Sequence, residues 1–259
     1  MELLKCFIGK KKYQRIFEQL HRISLMGMNI GGGDNLKESG EENVLKYINR
    51  MVNKEKRTVI FDVGANIGKY SLLLQDIFQD TCSLYVFEPS RRAFQKLSLN
   101  ITNKENVSFN NFGFGDENKK MLLYYSFQGS GLASIYKRRL GYRNKNMDKS
   151  EEIEIRTIDN YCKDNDIRRI HFLKLDVEGH ELKVLKGAKK MLDSGLIDFI
   201  QFEFGGCNID SKTYFQDFYY LLKDKYRISR VLKNGFFPVD RYRERYEAFI
   251  TTNFLAERI

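Results

Sequence analysis

One strand–turn–helix unit constrains this chain more than any other feature. Thr58, Val59, Ile60, Phe61 and Val63 form a short apolar run broken only by Asp62, and Gly64-Ala65-Asn66-Ile67-Gly68 follows directly. A run of this length, rich in β-branched residues, reads as a buried parallel strand. Tyr70, Leu73, Leu74, Ile77 and Phe78 then recur at helical spacing. A parallel strand needs a crossover and neighbours, so this unit alone commits the chain to an α/β architecture.

The pattern repeats along the chain. Residues 83–87, 107–112, 170–175 and 197–202 read as further strands. The second is followed by a helix carrying Phe94, Leu97 and Ile101, which Ser90 can cap. The fourth is followed by a helix carrying Leu182, Leu185, Ala188 and Leu192. Ser211 is a candidate cap for a helix bearing Tyr214, Phe215, Phe218, Leu221 and Leu222. Residues 121–127 and 151–158 read as antiparallel strands around a basic excursion, 129–149, expected to contribute to an acceptor site. Residues 227–232 and 248–255 read as a closing antiparallel pair. Upstream, Ser39 and Glu42 have capping-box spacing ahead of an apolar face of Val44, Leu45, Ile48, Met51 and Val52. Together these predict a Rossmann-like sheet, mostly parallel and flanked by helices, with its ligand crevice at the carboxyl ends of the strands.

The predicted division is a helical extension over 1–38 and one large domain over 39–259. In the extension, Tyr13, Ile16, Phe17, Leu20 and Ile23 form an amphipathic stripe. Such a stripe is expected to pack on the protein's own core; Lys10-Lys11-Lys12 just ahead of it leave a membrane-surface role as the alternative. Residues 29–35, with Gly31-Gly32-Gly33, predict a mobile loop.

Composition excludes several classes. The 259 residues are 42% apolar, enough for a sizeable core, and no apolar run approaches the ~20 residues of a transmembrane helix. Four cysteines without a CxxC pair make a zinc site unexpected, and with no secretion signal the expected compartment is reducing and cytoplasmic. The net charge of +10 favours anionic partners. Its basic residues are dispersed, which suits a solvated surface better than a nucleic-acid groove.

The glycine turn narrows the ligand. Asn66 stands where a dinucleotide fingerprint carries its second glycine, and would crowd a pyrophosphate on the helix N-terminus. S-adenosylmethionine, which has no phosphate, fits better: its amino-acid part can lie over Gly64 and Gly68, with Asp62 facing its ammonium. Glu88, at the end of the second strand, is placed to accept hydrogen bonds from ribose hydroxyls. After the third strand, Phe114 and Asp116 are candidates for the adenine face and the adenine amino group.

The fourth strand ends in Leu173-Lys174-Leu175-Asp176-Val177-Glu178-Gly179-His180. A lysine and acids there are costly unless they pair or act. Asp176 and Glu178 can bind a divalent cation such as magnesium or manganese, orient a hydroxyl, or remove its proton. His180 has the intrinsic pKa of a base. Lys174 is expected to fix Asp176. Glu203, ending the fifth strand, can bind substrate or complete a metal site.

Taken together, FDVGANIGKYS (61–71), YVFEPS (85–90), GFGD (113–116), IRTIDNY (155–161), FLKLDVEGHELKVLKGA (172–188) and, more weakly, EAFITTNFLA (247–256) resemble the FkbM-type methyltransferase family. The resemblance implies the class I methyltransferase fold, a seven-stranded sheet with one antiparallel strand. It implies S-adenosylmethionine-dependent O-methylation of hydroxyls on small molecules, sugars or glycans. By motif it assigns Asp62, Gly64, Asn66, Gly68 and Glu88 to the cofactor, and Asp176 and Glu178 to the reaction centre. A sugar or anionic acceptor is the leading partner, and an RNA ribose 2′-O-methyltransferase is the alternative.

Overall fold

A computed structural model describes residues 6–32, 38–52, 57–127 and 129–259. Gly33, Asp34 and Asn35 of the anticipated glycine loop lie outside these residues.

The apolar run over 58–63 is strand β1 (Thr58–Val63), and helix α3 (Lys69–Phe78) follows its glycine turn. Parallel pairing joins β1 to β2 (Cys82–Phe87) and β7 (Ile170–Leu175); β3 (Val107–Asn110) extends one side and β8 (Ile197–Phe204) the other. Beyond β8 the direction reverses. Strand β11 (Thr252–Arg258) runs antiparallel between β8 and β9 (Tyr226–Leu232). These are the seven expected strands. An eighth, β10 (Gly235–Pro238), forms a hairpin with β9 at the edge, so the order is β10-β9-β11-β8-β7-β1-β2-β3. The tight turn Lys233-Asn234 ahead of Gly235 makes the hairpin possible.

The two faces of the sheet bury separate cores, as the two-residue period of a strand requires. Ile60, Phe172 and Phe199 face helices α2 (Glu41–Val52) and α3, against Val44, Leu45, Ile48 and Leu74. Phe61, Leu173 and Phe202 face the other way. They pack on α5 (Ile158–Asp164), α6 (Glu181–Lys186) and α9 (Phe215–Leu222) through Ile158, Leu182, Leu185 and Phe218. Helix α4 (Arg91–Asn100) begins after Ser90, whose side chain makes no capping bond.

The anticipated antiparallel pair is β5 (Lys119–Tyr125) with β6 (Lys149–Arg156). Both join a two-residue strand, β4 (Gly113–Phe114), in a small second sheet. The helix expected after the fourth strand is two short helices, α6 and α7 (Lys189–Asp193), because the chain must pass Gly115 at Gly187. A Cβ on Gly187 would lie 1.9 Å from the Gly115 carbonyl oxygen. Ser211 ends a short helix, α8 (Cys207–Ser211), rather than capping the next one. Helix α9 is capped instead by Asp217, which accepts from the Tyr214 N–H, and by Glu247, which accepts from Phe215 and Gln216.

One expectation about the extension is overturned. Helix α1 (Gln14–Gly27) forms, but none of its residues is buried. Ile16, Leu20 and Ile23 are 53%, 54% and 63% exposed, so the apolar stripe does not pack on the core. No described helix is long and apolar enough to cross a membrane.

Candidate active site

Strand order reverses at β1, which lies between β2 and β7, and the crevice beyond its carboxyl end is where such sheets bind ligands. The turn there is set by backbone conformation. Gly64 and Gly68 have φ of 86° and 88°, and Asn66, with φ 49°, tolerates the same region. A Cβ on Gly64 would stand 1.8 Å from the Asp176 carbonyl oxygen, so only glycine lets β1 and β7 close here.

Four of the five N–H groups of this turn are committed internally. Gly64 and Ala65 donate to the Phe87 carbonyl at 2.9 and 3.0 Å, Gly68 donates to Ala65 at 2.8 Å, and Asn66 donates to Glu88 Oε2 at 2.8 Å. The phosphate cradle of a dinucleotide site needs such groups free. Glu88 Oε1 accepts from Ser90 N–H at 2.8 Å, and each oxygen keeps a further lone pair. Burial pushes the Glu88 carboxyl up to about 7, against those two bonds.

Three cavities adjoin at this crevice. The first is lined by Glu88, Asn66, Phe114 and His180 among others. The second is lined by Asp62, Tyr70, Lys174 and Glu203, and the third by Arg138, Arg143, Lys145 and Glu203. Asp176 and Gly131 border all three. The first cavity holds two buried polar atoms with no hydrogen-bond partner, Asn66 Oδ1 and His180 Nε2. Buried polar atoms are normally paired, so these are suited to a polar ligand.

A polar row explains the charged strand ends. Asp62, Lys174 and Gln201 are register partners on β1, β7 and β8, on the face covered by α2 and α3. The first residue of α2, Glu41, lies 3.2 Å from Lys174 Nζ, and Asp176 lies 3.7 Å from it. Gln201 donates to Glu41 and Asn253 and accepts from the Tyr70 hydroxyl. Asp62 accepts from Ser71 at 2.5 Å, and burial raises its carboxyl to about 6. Burial alone would lower Lys174. Glu41 first, then Asp176, Glu203 and Asp62, instead hold it above its ordinary range, so it stays an ammonium. Burial, with Asp176 and Glu178 beside it, pushes Glu203 well above the carboxylate range.

Residues 62–228, more than half of the chain, match the family model described as the methyltransferase FkbM domain. The chain belongs to this family. It is 26% identical over 156 residues to hexuronic acid methyltransferase AglP of Haloferax volcanii, a match covering 60% of this chain and 59% of that protein. It is also 26% identical over 143 residues to methyltransferase 1 of Beauveria bassiana, covering 49% of this chain and 57% of the relative. The chain thus spans less than two thirds of both relatives. The crystal structure of methyltransferase FkbM from Methylobacillus flagellatus is similar with a TM-score of 0.46 and 19% identity, over 77% of this chain and 44% of that one.

Within the FkbM domain several sequence-based expectations change. Glu178 is not an open ligand beside Asp176. Its carboxylate pairs with Arg138, a side chain only 5% exposed, and burial raises it despite that partner. Guanidinium and ammonium groups therefore interleave the acids. Among the described residues no group of three or more His, Cys, Asp or Glu side chains is disposed to hold a metal ion. His180 borders only the first cavity. Its Nδ1 lies 3.0 Å from the Tyr136 hydroxyl, and burial lowers it to about 4, a poor value for a base at neutral pH. Asp116 does not line that cavity. Partial burial would raise its carboxyl, but Lys183, 2.6 Å away, holds it below the usual range. Phe114 lines the cavity from an aromatic cluster with Phe61, Phe87 and Phe112.

The excursion 129–149 folds over the strand ends. Ser134 donates to the Glu178 carbonyl at 2.8 Å, and Ser130, Ser134 and Arg138 are buried. Glu41 and Gln201 were not singled out from sequence, and Tyr70 only as part of a helical stripe. The one signal for Gln201 was its place two residues before Glu203 in a mostly apolar strand.

Proposed function

We propose that this FkbM domain binds S-adenosylmethionine and methylates a hydroxyl of a sugar or glycan. The observation that carries this reading is the crevice at Asp176, where a glycine turn with four of its five N–H groups already committed meets the first and second cavities. A turn with so few free donors suits a cofactor without phosphate. Glu88 would accept the ribose hydroxyls, Asn66 Oδ1 and His180 Nε2 would face the nucleoside, and Asp62 would face the amino-acid ammonium across Gly64. When bound, the cofactor supplies a sulfonium methyl whose bond to sulfur breaks as the acceptor oxygen forms its bond to carbon.

The chain's own groups then have defined tasks. Asp176 borders both cofactor and acceptor cavities, so it orients the acceptor hydroxyl and takes its proton. Lys174 holds Asp176 in place, while Arg138 fixes Glu178 and closes the acceptor cavity from the excursion. Glu203 borders the acceptor cavity as a second polar contact. Positioning supplies much of the rate in such an in-line transfer. The acceptor cavity also carries Arg143 and Lys145, which suit an acidic sugar, and the similarity to a hexuronic acid methyltransferase supports that class.

The test is transfer of labelled methyl from S-adenosylmethionine to uronic-acid and neutral sugar acceptors. Turnover is expected with the acidic sugar and is expected to fall at least a hundredfold in Asp176→Asn, with cofactor affinity retained. Wild-type turnover in Asp176→Asn would show that the reaction centre lies elsewhere.

A further inference from the structure

The structure leaves one built feature without a role, the amphipathic helix α1. Ile16, Leu20 and Ile23 lie at i, i+4 and i+7 on one side, each more than half exposed. Phe7, Ile8 and Met26 add exposed apolar surface at its two ends, at 42%, 61% and 68%. Arg15, Glu18 and Arg22, at i, i+3 and i+7, form the charged side beside it. Large apolar side chains left uncovered in a contiguous stripe mark an interaction surface.

We propose that helix α1 docks this protein on an anionic membrane surface. The occupant follows from charge. Residues 6–27 carry Lys10, Lys11, Lys12, Arg15 and Arg22 against a single acid, Glu18. An apolar face flanked by cations is the pattern of a helix lying in the plane of lipid headgroups, its apolar side in the acyl boundary. The same charge repels a second copy of the helix, which would bring five cations against five. The helix spans 14 residues, too short to cross a bilayer and suited to lying along it.

The attachment has a consequence for the active site. Three residues past α1, Ile30 is buried, and the Gly31 N–H donates to the Thr251 carbonyl at 2.8 Å. Asn29 Nδ2 donates to the Ser39 and Val231 carbonyls at 2.8 and 3.1 Å, clamping the helix exit to the sheet. Gly31, Ile250 and Thr251 line the cavity that also contains Arg138, Arg143 and Lys145. A docked helix therefore holds the mouth of that cavity near the headgroups. Docking itself does not depend on the methyl-transfer reading.

Flotation of the full chain with vesicles of phosphatidylglycerol in phosphatidylcholine, and with phosphatidylcholine alone, tests the proposal. Binding to the anionic vesicles is expected, weakening as salt screens the charges. Each cation removed in the series Lys10→Gln, Lys11→Gln and Lys12→Gln is expected to lower partitioning about fivefold. Leu20→Ser combined with Ile23→Ser is expected to lower it at least tenfold with an unchanged melting temperature, since both positions are exposed. Equal flotation of these variants and the wild type, or no flotation of the wild type, would overturn the proposal. So would a wild-type dimer in light scattering that Leu20→Ser converts to monomer, which would assign the stripe to a second copy.

Discussion

Replacing Lys174 by Met removes the one ammonium from the polar row while keeping most of the side chain's volume and flexibility. Lys174 is 2% exposed, with its nitrogen 3.2 Å from Glu41 and 3.7 Å from Asp176. Breaking a buried pair by removing one partner costs about 3–5 kcal/mol. Asp176 is nearly half-exposed and recovers much of its hydration, so Glu41 carries the loss and the lower end, about 3 kcal/mol, is expected. The sign with pH follows from linkage. Without the ammonium, Asp62 and Glu203, already raised by burial, rise further. A folded carboxyl raised above its unfolded value keeps protons that the unfolded chain releases, so stability falls as pH rises through that interval. The deficit of Lys174→Met is therefore expected to be larger at about pH 8 than at about pH 5. Urea denaturation at both pH values reads it directly. In a Glu41→Gln background the same substitution is expected to cost less by about 1–2 kcal/mol, the coupling of the pair. A deficit below about 1 kcal/mol at both pH values, or one that shrinks as pH rises, would refute the reasoning.

Two further outcomes follow from the site. His180 is lowered by burial to about 4 from 6.5, so the unfolded chain binds its proton first as pH falls. That linkage removes up to about 3 kcal/mol of stability between the unfolded and folded values, and His180→Gln is expected to flatten the slope of melting temperature against pH across that window; parallel slopes would contradict it. Gly64→Ala is expected to be severely destabilised, because its Cβ would meet the Asp176 carbonyl at 1.8 Å with φ at 86°. Gly141→Ala, with nothing within 4 Å of the added carbon, is the control and is expected to change stability by no more than about 0.5 kcal/mol.

The alternation of strands and helices was legible because each element announces itself locally: β-branched runs, helical stripes and a glycine turn whose geometry only glycine satisfies. What could not be read depended on partners distant in the chain. Glu247 caps α9 from about thirty residues away, and Gly187 interrupts a helical stripe because the backbone of Gly115 lies against it. The acids at the end of β7 showed that chemistry was concentrated there, yet not how it was divided. Arg138 takes Glu178, Tyr136 takes one nitrogen of His180, and Glu41 meets Lys174, all by contacts made from outside the strand. The stripe of α1 was visible as well, but periodicity says only that a face is apolar, not what covers it.

The most direct test of the account is calorimetric titration with S-adenosylhomocysteine and with NAD, on the wild type and on Glu88→Gln. The wild type is expected to bind S-adenosylhomocysteine and not NAD. Glu88→Gln is expected to lose tenfold or more in affinity, since a charged acceptor contributes about 1.5–3 kcal/mol to such a bond. NAD binding by the wild type, or an unchanged affinity for S-adenosylhomocysteine in Glu88→Gln, would contradict the placement of the cofactor in this crevice.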